Sequence, residues 1–367
     1  MKLALRTTLA VIVCLSVTIC IRAGSTQPSM RKLSPKLVRP GIGPVTRAIE
    51  ESYPYHSPRF TQFLVESHVY CKPAEAHGFY AWMDKAYAGC NHRFPGKESL
   101  SLGDLLDSKK RQFSRISDPL LKSENEIAFS AWIHRMVKTV IPRFSLDRGY
   151  EFCNVIICGE RQCFLQSVFI VGLLQYVGFD AGVVMVYGNP KGEESNLGHA
   201  VVLLKLPDGR DIIVDASEPE PLYKPLGIFV REREYRFVNP VYLKYSSRIV
   251  GYKTESRLRD IAAEQVRPLD YSFVRSQFWY YRGERAKGGL LASKPTPEGL
   301  AQSSKALRQS VKFCAKNPLS VYMLGRVYSA QGRTEAAREQ FQEARDLYTR
   351  FGWIPSDPER YYDKTSM

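Results

Sequence analysis

The stretch that most restricts the fold is residues 163–216. Residues 163–177 (CFLQSVFIVGLLQYV) are apolar on nearly every side of a helix, so other elements must enclose that helix. Gly178 supplies its stop. Residues 181–187 (AGVVMVY) form a β-branched run that reads as a buried strand, and residues 188–198 (GNPKGEESNLG) read as a loop. A second strand is expected over 199–206 and a third over 212–216, joined by the turn Pro207-Asp208-Gly209. With Gly209 in the left-handed region of a three-residue loop, Leu206 pairs with Arg210. That register sets Asp215 opposite Val201 and His199 opposite Ser217, so His199 and Asp215 become diagonal neighbours on one face. A slip of one residue would send them to opposite faces. A buried helix packed on an antiparallel sheet makes the expected class α+β.

Residues 58–142 carry apolar residues at helical spacing in FTQFLVESHVY, HGFYAWMDKAY and EIAFSAWIHRMVKTVI. Ser123 with Glu126 has the form of a capping box opening the last of these helices, and His134 inside it reads as structural. Residues 222–285 mix strand-like and polar segments whose order the sequence does not give. Further on, Leu324, Gly325, Tyr328, Gly332, Ala337, Phe341 and Ala344 fall at the spacings of a tetratricopeptide repeat. The small residues let two antiparallel helices approach, and Leu324, Tyr328 and Phe341 fill the space between them. One repeat cannot build a long groove, so this hairpin either packs on the main domain or docks a protein partner.

At the N-terminus, Lys2 and Arg6 precede an apolar run over residues 9–21, short of the ~20 residues that span a bilayer. Charged and apolar regions in that order, followed by Ala23 and Gly24, predict a signal peptide over 1–23, or else an uncleaved anchor. Export is therefore expected. Residues 24–55, rich in Pro, Ser, Arg and Lys, read as a basic flexible linker. The main domain is expected over 56–290 with its core at about 120–220, the helical hairpin over 295–350, and a tail over 351–367. A formal net charge of +15 suits weak contact of the basic tail with a polyanion or a membrane surface, without specific nucleic-acid recognition. The chain has no Walker-type loop or dinucleotide fingerprint, and neither cofactor nor metal is expected.

Loss of Cys14 and Cys20 with the signal leaves six cysteines, and an exported chain can form disulfides. Spacing alone pairs Cys71 with Cys90 and Cys153 with Cys158, leaving Cys163 and Cys314 free. A rival reading makes His68, Cys71, Cys90 and His92 an inexact zinc-like set. Cys163 stands at the head of the buried helix, where unpaired N–H groups and the helix dipole favour a thiolate. A thiol nucleophile also needs a histidine base and a group that orients it, and His199 and Asp215 are candidates for both roles.

This order of features resembles the transglutaminase-like superfamily, with its papain-type core, over about residues 120–220. The likeness rests on the cysteine at the head of a helix, on LLQYVGFDAGVVMVYG, and on GHAVV and VDAS in sequence. It implies Cys163 as nucleophile, His199 as base and Asp215 as orienting carboxylate. It also implies a protein or peptide substrate and amide hydrolysis or acyl transfer through a thioester, with no organic cofactor. The chain departs from the family where Ala200-Val201 follow the histidine, where Ile212-Ile213-Val214 precede the aspartate, and where charged Glu160 and Arg161 precede the cysteine. The alternative function is an inactive scaffold of the same fold that binds partners through the tetratricopeptide-like hairpin.

Overall fold

A computed structural model of the chain describes residues 51–71, 78–256 and 259–356. The expected signal or anchor, most of the linker and the end of the tail lie outside the described residues. In chain order come α1 (Pro58–Cys71), α2 (Phe79–Ala88), α3 (Leu102–Phe113), α4 (Pro119–Val140), β1 (Arg143–Phe144), α5 (Phe152–Cys158), β2 (Glu160–Arg161) and α6 (Cys163–Tyr176). Seven strands follow: β3 (Asp180–Gly188), β4 (Glu194–Lys205), β5 (Asp211–Val214), β6 (Gly227–Arg231), β7 (Tyr235–Tyr242), β8 (Ile249–Thr254) and β9 (Asp260–Ala262). Helices α7 (Tyr271–Glu284), α8 (Pro297–Phe313), α9 (Pro318–Ala330) and α10 (Thr334–Phe351) complete the described chain.

The class is mixed α+β, as the sequence predicts. The large sheet is antiparallel, in the order β5-β4-β3-β6-β7-β8-β9, and β5 also pairs with β8 through Asp211 and Ile249. Six strands thus close into a barrel-like sheet, a feature the sequence does not announce because the unordered segment 222–285 supplies half of it. Closure explains the unbroken apolar run in β3. Val184 and Val186 face the barrel interior with Val201, Leu203 and Ile213, whereas Val183, Met185 and Tyr187 belong to the helix-covered core. Both faces of these strands are buried, so side chains on both must be apolar.

Helix α6 runs against β3 and β4 and is buried along its length, from Cys163 to Leu174. Gly178 takes φ +95°, the left-handed conformation expected at a helix stop. Part of the stretch read as linker is described, and there Tyr53 and Tyr55 are buried. The Tyr55 N–H donates to Gly172 O at 2.8 Å and the Tyr53 N–H to Gln175 Oε1 at 2.7 Å, which straps residues 51–55 to α6.

Three expectations are corrected. Helix α4 opens at Asp118, whose side chain accepts the Leu121 N–H at 2.7 Å, with Pro119 in the first turn. Ser123 and Glu126 are therefore interior to the helix and buried, and Ser123 Oγ instead accepts the Asp208 N–H from the hairpin turn. The second strand begins at Glu194, inside the stretch read as loop. Finally, among the described residues the disulfide joins Cys71 to Cys153, leaving Cys90, Cys158, Cys163 and Cys314 free. Helix α1 packs on α5, so partners distant in sequence meet, and Cys71 is no longer available to the zinc-like set.

Candidate functional site

Cys163 is the first residue of α6, with Gln162 as an extended N-cap. The residue is 5% exposed. The first helical bond of α6 runs from the Gln166 N–H to Gln162 O at 3.0 Å, so the N–H groups of residues 163–165 have no partner within the helix. Two main-chain ties fix the position of the thiol. Ser167, one turn on, donates to Ala200 O at 3.0 Å, and Cys163 Sγ lies 3.9 Å from Gly198 O.

The hairpin has the register read from its turn. Gly209 takes φ +83°, the Leu206 N–H donates to Arg210 O at 2.8 Å, and Val202 pairs with Val214. His199 and Asp215 meet accordingly: His199 Nε2 donates to Asp215 Oδ2 at 2.6 Å. The other carboxylate oxygen accepts the Ser217 N–H at 2.8 Å, and Asp215 has no exposed surface. With Nε2 committed to Asp215, Nδ1 is the ring nitrogen left for Cys163, whose Sγ lies against the Gly198 carbonyl next to His199. Burial opposes charge on the imidazole, but the hydrogen bonds and charges of Asp215 and Cys163 outweigh it. The ring pKa rises to about 10. Cys163, His199 and Asp215 are thus brought into one contiguous cluster.

Other residues complete this cluster: His134, read from the sequence as structural, and Gln166, Ser217 and Tyr281, which the sequence reading did not single out. His134 Nε2 faces the carbonyl oxygens of Asp215 (3.0 Å) and Glu218 (3.1 Å), which makes that nitrogen the donor. Burial, reinforced by Lys138, pushes the His134 pKa down, so its ring stays neutral. The Asp215 N–H donates to Pro221 O at 3.1 Å, closing the loop that His134 holds from outside. Gln166 Nε2 donates to Ser217 Oγ at 3.1 Å, and Tyr281 in α7 donates to Gly198 O at 3.4 Å. Nothing in local spacing marks these positions. Each matters through a partner more than thirty residues away, and Tyr281 comes from the segment that could not be ordered.

No protein-family model matches the chain, and no curated protein is significantly similar to it.

Proposed function

We propose that the chain is an exported transglutaminase-like thiol enzyme that acts on peptide or side-chain amides through a thioester on Cys163. The observation that carries this reading is the 2.6 Å contact between His199 and a fully buried Asp215, formed where the ring also reaches a cysteine at a helix N-terminus. A ring that holds its proton at neutral pH leaves Cys163 able to attack as the thiolate. Sγ adds to the amide carbonyl carbon, and the unpaired N–H groups at the head of α6 are suited to the developing oxyanion. His199 then gives its proton to the leaving amine as the thioester forms. Water or an amine next attacks the thioester, passing its proton to His199 and freeing the Cys163 thiolate. Asp215 holds Nε2–H throughout and keeps Nδ1 directed at sulfur. The Cys71–Cys153 disulfide agrees with export, since such bonds persist in oxidising compartments. The close approach of Gly325 in α9 to the Phe341 ring in α10 supports the tetratricopeptide-like reading of that hairpin.

The test is the pH dependence of iodoacetamide labelling at Cys163, read by peptide mass spectrometry. Cys314 is the internal control, because burial pushes its thiol up to about 11. At pH 6, wild-type Cys163 is expected to react at least about tenfold faster than Cys314, and His199→Ala to lose that advantage. Slow labelling that ignores His199 would remove the catalytic reading in favour of a scaffold.

A further inference from the structure

Arg161 stands two residues before Cys163, in the short strand that leads into α6. A guanidinium that leaves water normally takes a carboxylate or carbonyl with it. Arg161 is 7% exposed, and its Nε and Nη1 have no hydrogen-bond partner among the described residues. The nearby carboxylates are engaged elsewhere. Glu160 binds Arg148 at 2.6 Å, and Asp215 binds His199 and the Ser217 N–H. Burial alone acts on Arg161, holding its pKa below the usual arginine value with no anion to offset it. Arg161 lies in a strand and Gln162 is extended (φ −132°, ψ 164°), so the side chains of Arg161 and Cys163 leave the chain on the same side. Beside it Gln162, 1% exposed, leaves Oε1 without a donor.

Resting on the thiol-enzyme reading, we propose that Arg161 recognises a substrate carboxylate, so that the preferred substrate is an acidic peptide whose carboxylate lies next to the amide attacked by Cys163. The donor fork of a guanidinium fits two carboxylate oxygens at once, and in a water-poor site such a charge-assisted pair is strong. A neutral or basic substrate would leave the buried cation unpaired and is selected against on that ground. The carboxylate can belong to an acidic side chain or to a chain terminus, since both present the same group.

The test compares modification of Cys163 by iodoacetate and by iodoacetamide in the full mature chain. Wild type, Arg161→Met and Arg161→Lys are measured with peptide mass spectrometry. Iodoacetamide reports the activated thiol, and iodoacetate adds a carboxylate. The imidazolium of His199 favours the anion in all three proteins, so the informative quantity is the change in the iodoacetate-to-iodoacetamide ratio. That ratio is expected to fall about tenfold in Arg161→Met and to recover in part in Arg161→Lys, which restores a point charge without the fork. Arg161→Met keeps the apolar stem and loses an unpaired buried charge, so its unfolding midpoint should equal or exceed that of wild type. A midpoint that drops as for a broken ion pair would make the residue structural and overturn the proposal. An unchanged ratio alongside rapid, His199-dependent iodoacetamide labelling would overturn it while leaving the thiol enzyme standing. Failure of both reagents at Cys163 would bring down both readings. Peptides with an acidic side chain and an amidated end, set against neutral peptides with a free end, then identify the source of the carboxylate. A loss of kcat/KM in Arg161→Met that is equal on acidic and fully neutral peptides would also overturn the proposal.

Discussion

His199 links the chemistry to stability at the scale of single residues. Its ring titrates near 6.5 in an unfolded chain and at about 10 in the fold, so folding favours the protonated form. The stabilisation is fully present below pH ~6.5 and is lost as pH rises through about 10. A tenfold difference in proton affinity between the two states is worth about 1.4 kcal/mol, which places the effect at a few kcal/mol over that window. Urea unfolding at pH 6, 8 and 10 should show wild type losing stability towards alkali more steeply than His199→Gln. Parallel curves would mean that the ring does not carry the charge assigned to it. Cys163→Ala should flatten the wild-type curve in part, because the cysteine contributes to the raised pKa alongside Asp215.

The site depends on one hairpin and one helix terminus at the scale of elements. Pro207-Asp208-Gly209 fixes the β4–β5 register through the left-handed Gly209, and that register brings His199 to Asp215. One alanine inserted after Gly209 shifts Asp215 to the opposite face, whereas two restore the alternation in a longer loop. Labelling of Cys163 should fall to the rate of Cys314 in the first variant and recover at least in part in the second. A single insertion that labels like wild type would mean that a bulge absorbs it and that the turn does not set the site. This portion was legible in the sequence because turn chemistry and alternation are local rules. The start of α4 and the disulfide were not. Ser123 imitates a helix cap but serves to receive the Asp208 N–H, and Cys71 bonds a residue 82 positions away instead of its neighbour in sequence. Both outcomes follow from long-range packing of α4 on the hairpin and of α1 on α5, which local spacing does not encode. Barrel closure through Asp211 and Ile249 was hidden for the same reason.

Over the whole molecule, the C-terminal helices and the sheet share one core. Phe351, the last residue of α10, is fully buried with its ring 5.7 Å from Phe229 and 5.8 Å from Tyr235, in β6 and β7. Trp353 packs at 4.6 Å against Tyr187 in β3, and the Tyr235 hydroxyl contacts both Asp270 (2.7 Å) and Cys314 (3.5 Å). Asn317, the N-cap of α9, donates to Ser276 and Gln277 in α7, and Ser310 bridges Ser276 to Ser320. Helix α7 in turn holds Glu151, the N-cap of α5, through the buried Arg282, and sends Tyr281 to Gly198 beside the cysteine. A chain of packed and hydrogen-bonded residues therefore runs from α10 to the candidate site. Phe351→Ala should cost about 3–5 kcal/mol, the usual loss for a buried phenylalanine. Because that residue bridges hairpin and sheet, calorimetry should show the whole described body melting earlier in a single transition. Iodoacetamide labelling of Cys163 below the midpoint should keep its dependence on His199. Two separate transitions, with only the first displaced, would mean that the hairpin unfolds as an independent module. Such a module would be free to present its own faces to a partner, whereas one cooperative transition ties it to the support of Tyr281 behind Cys163.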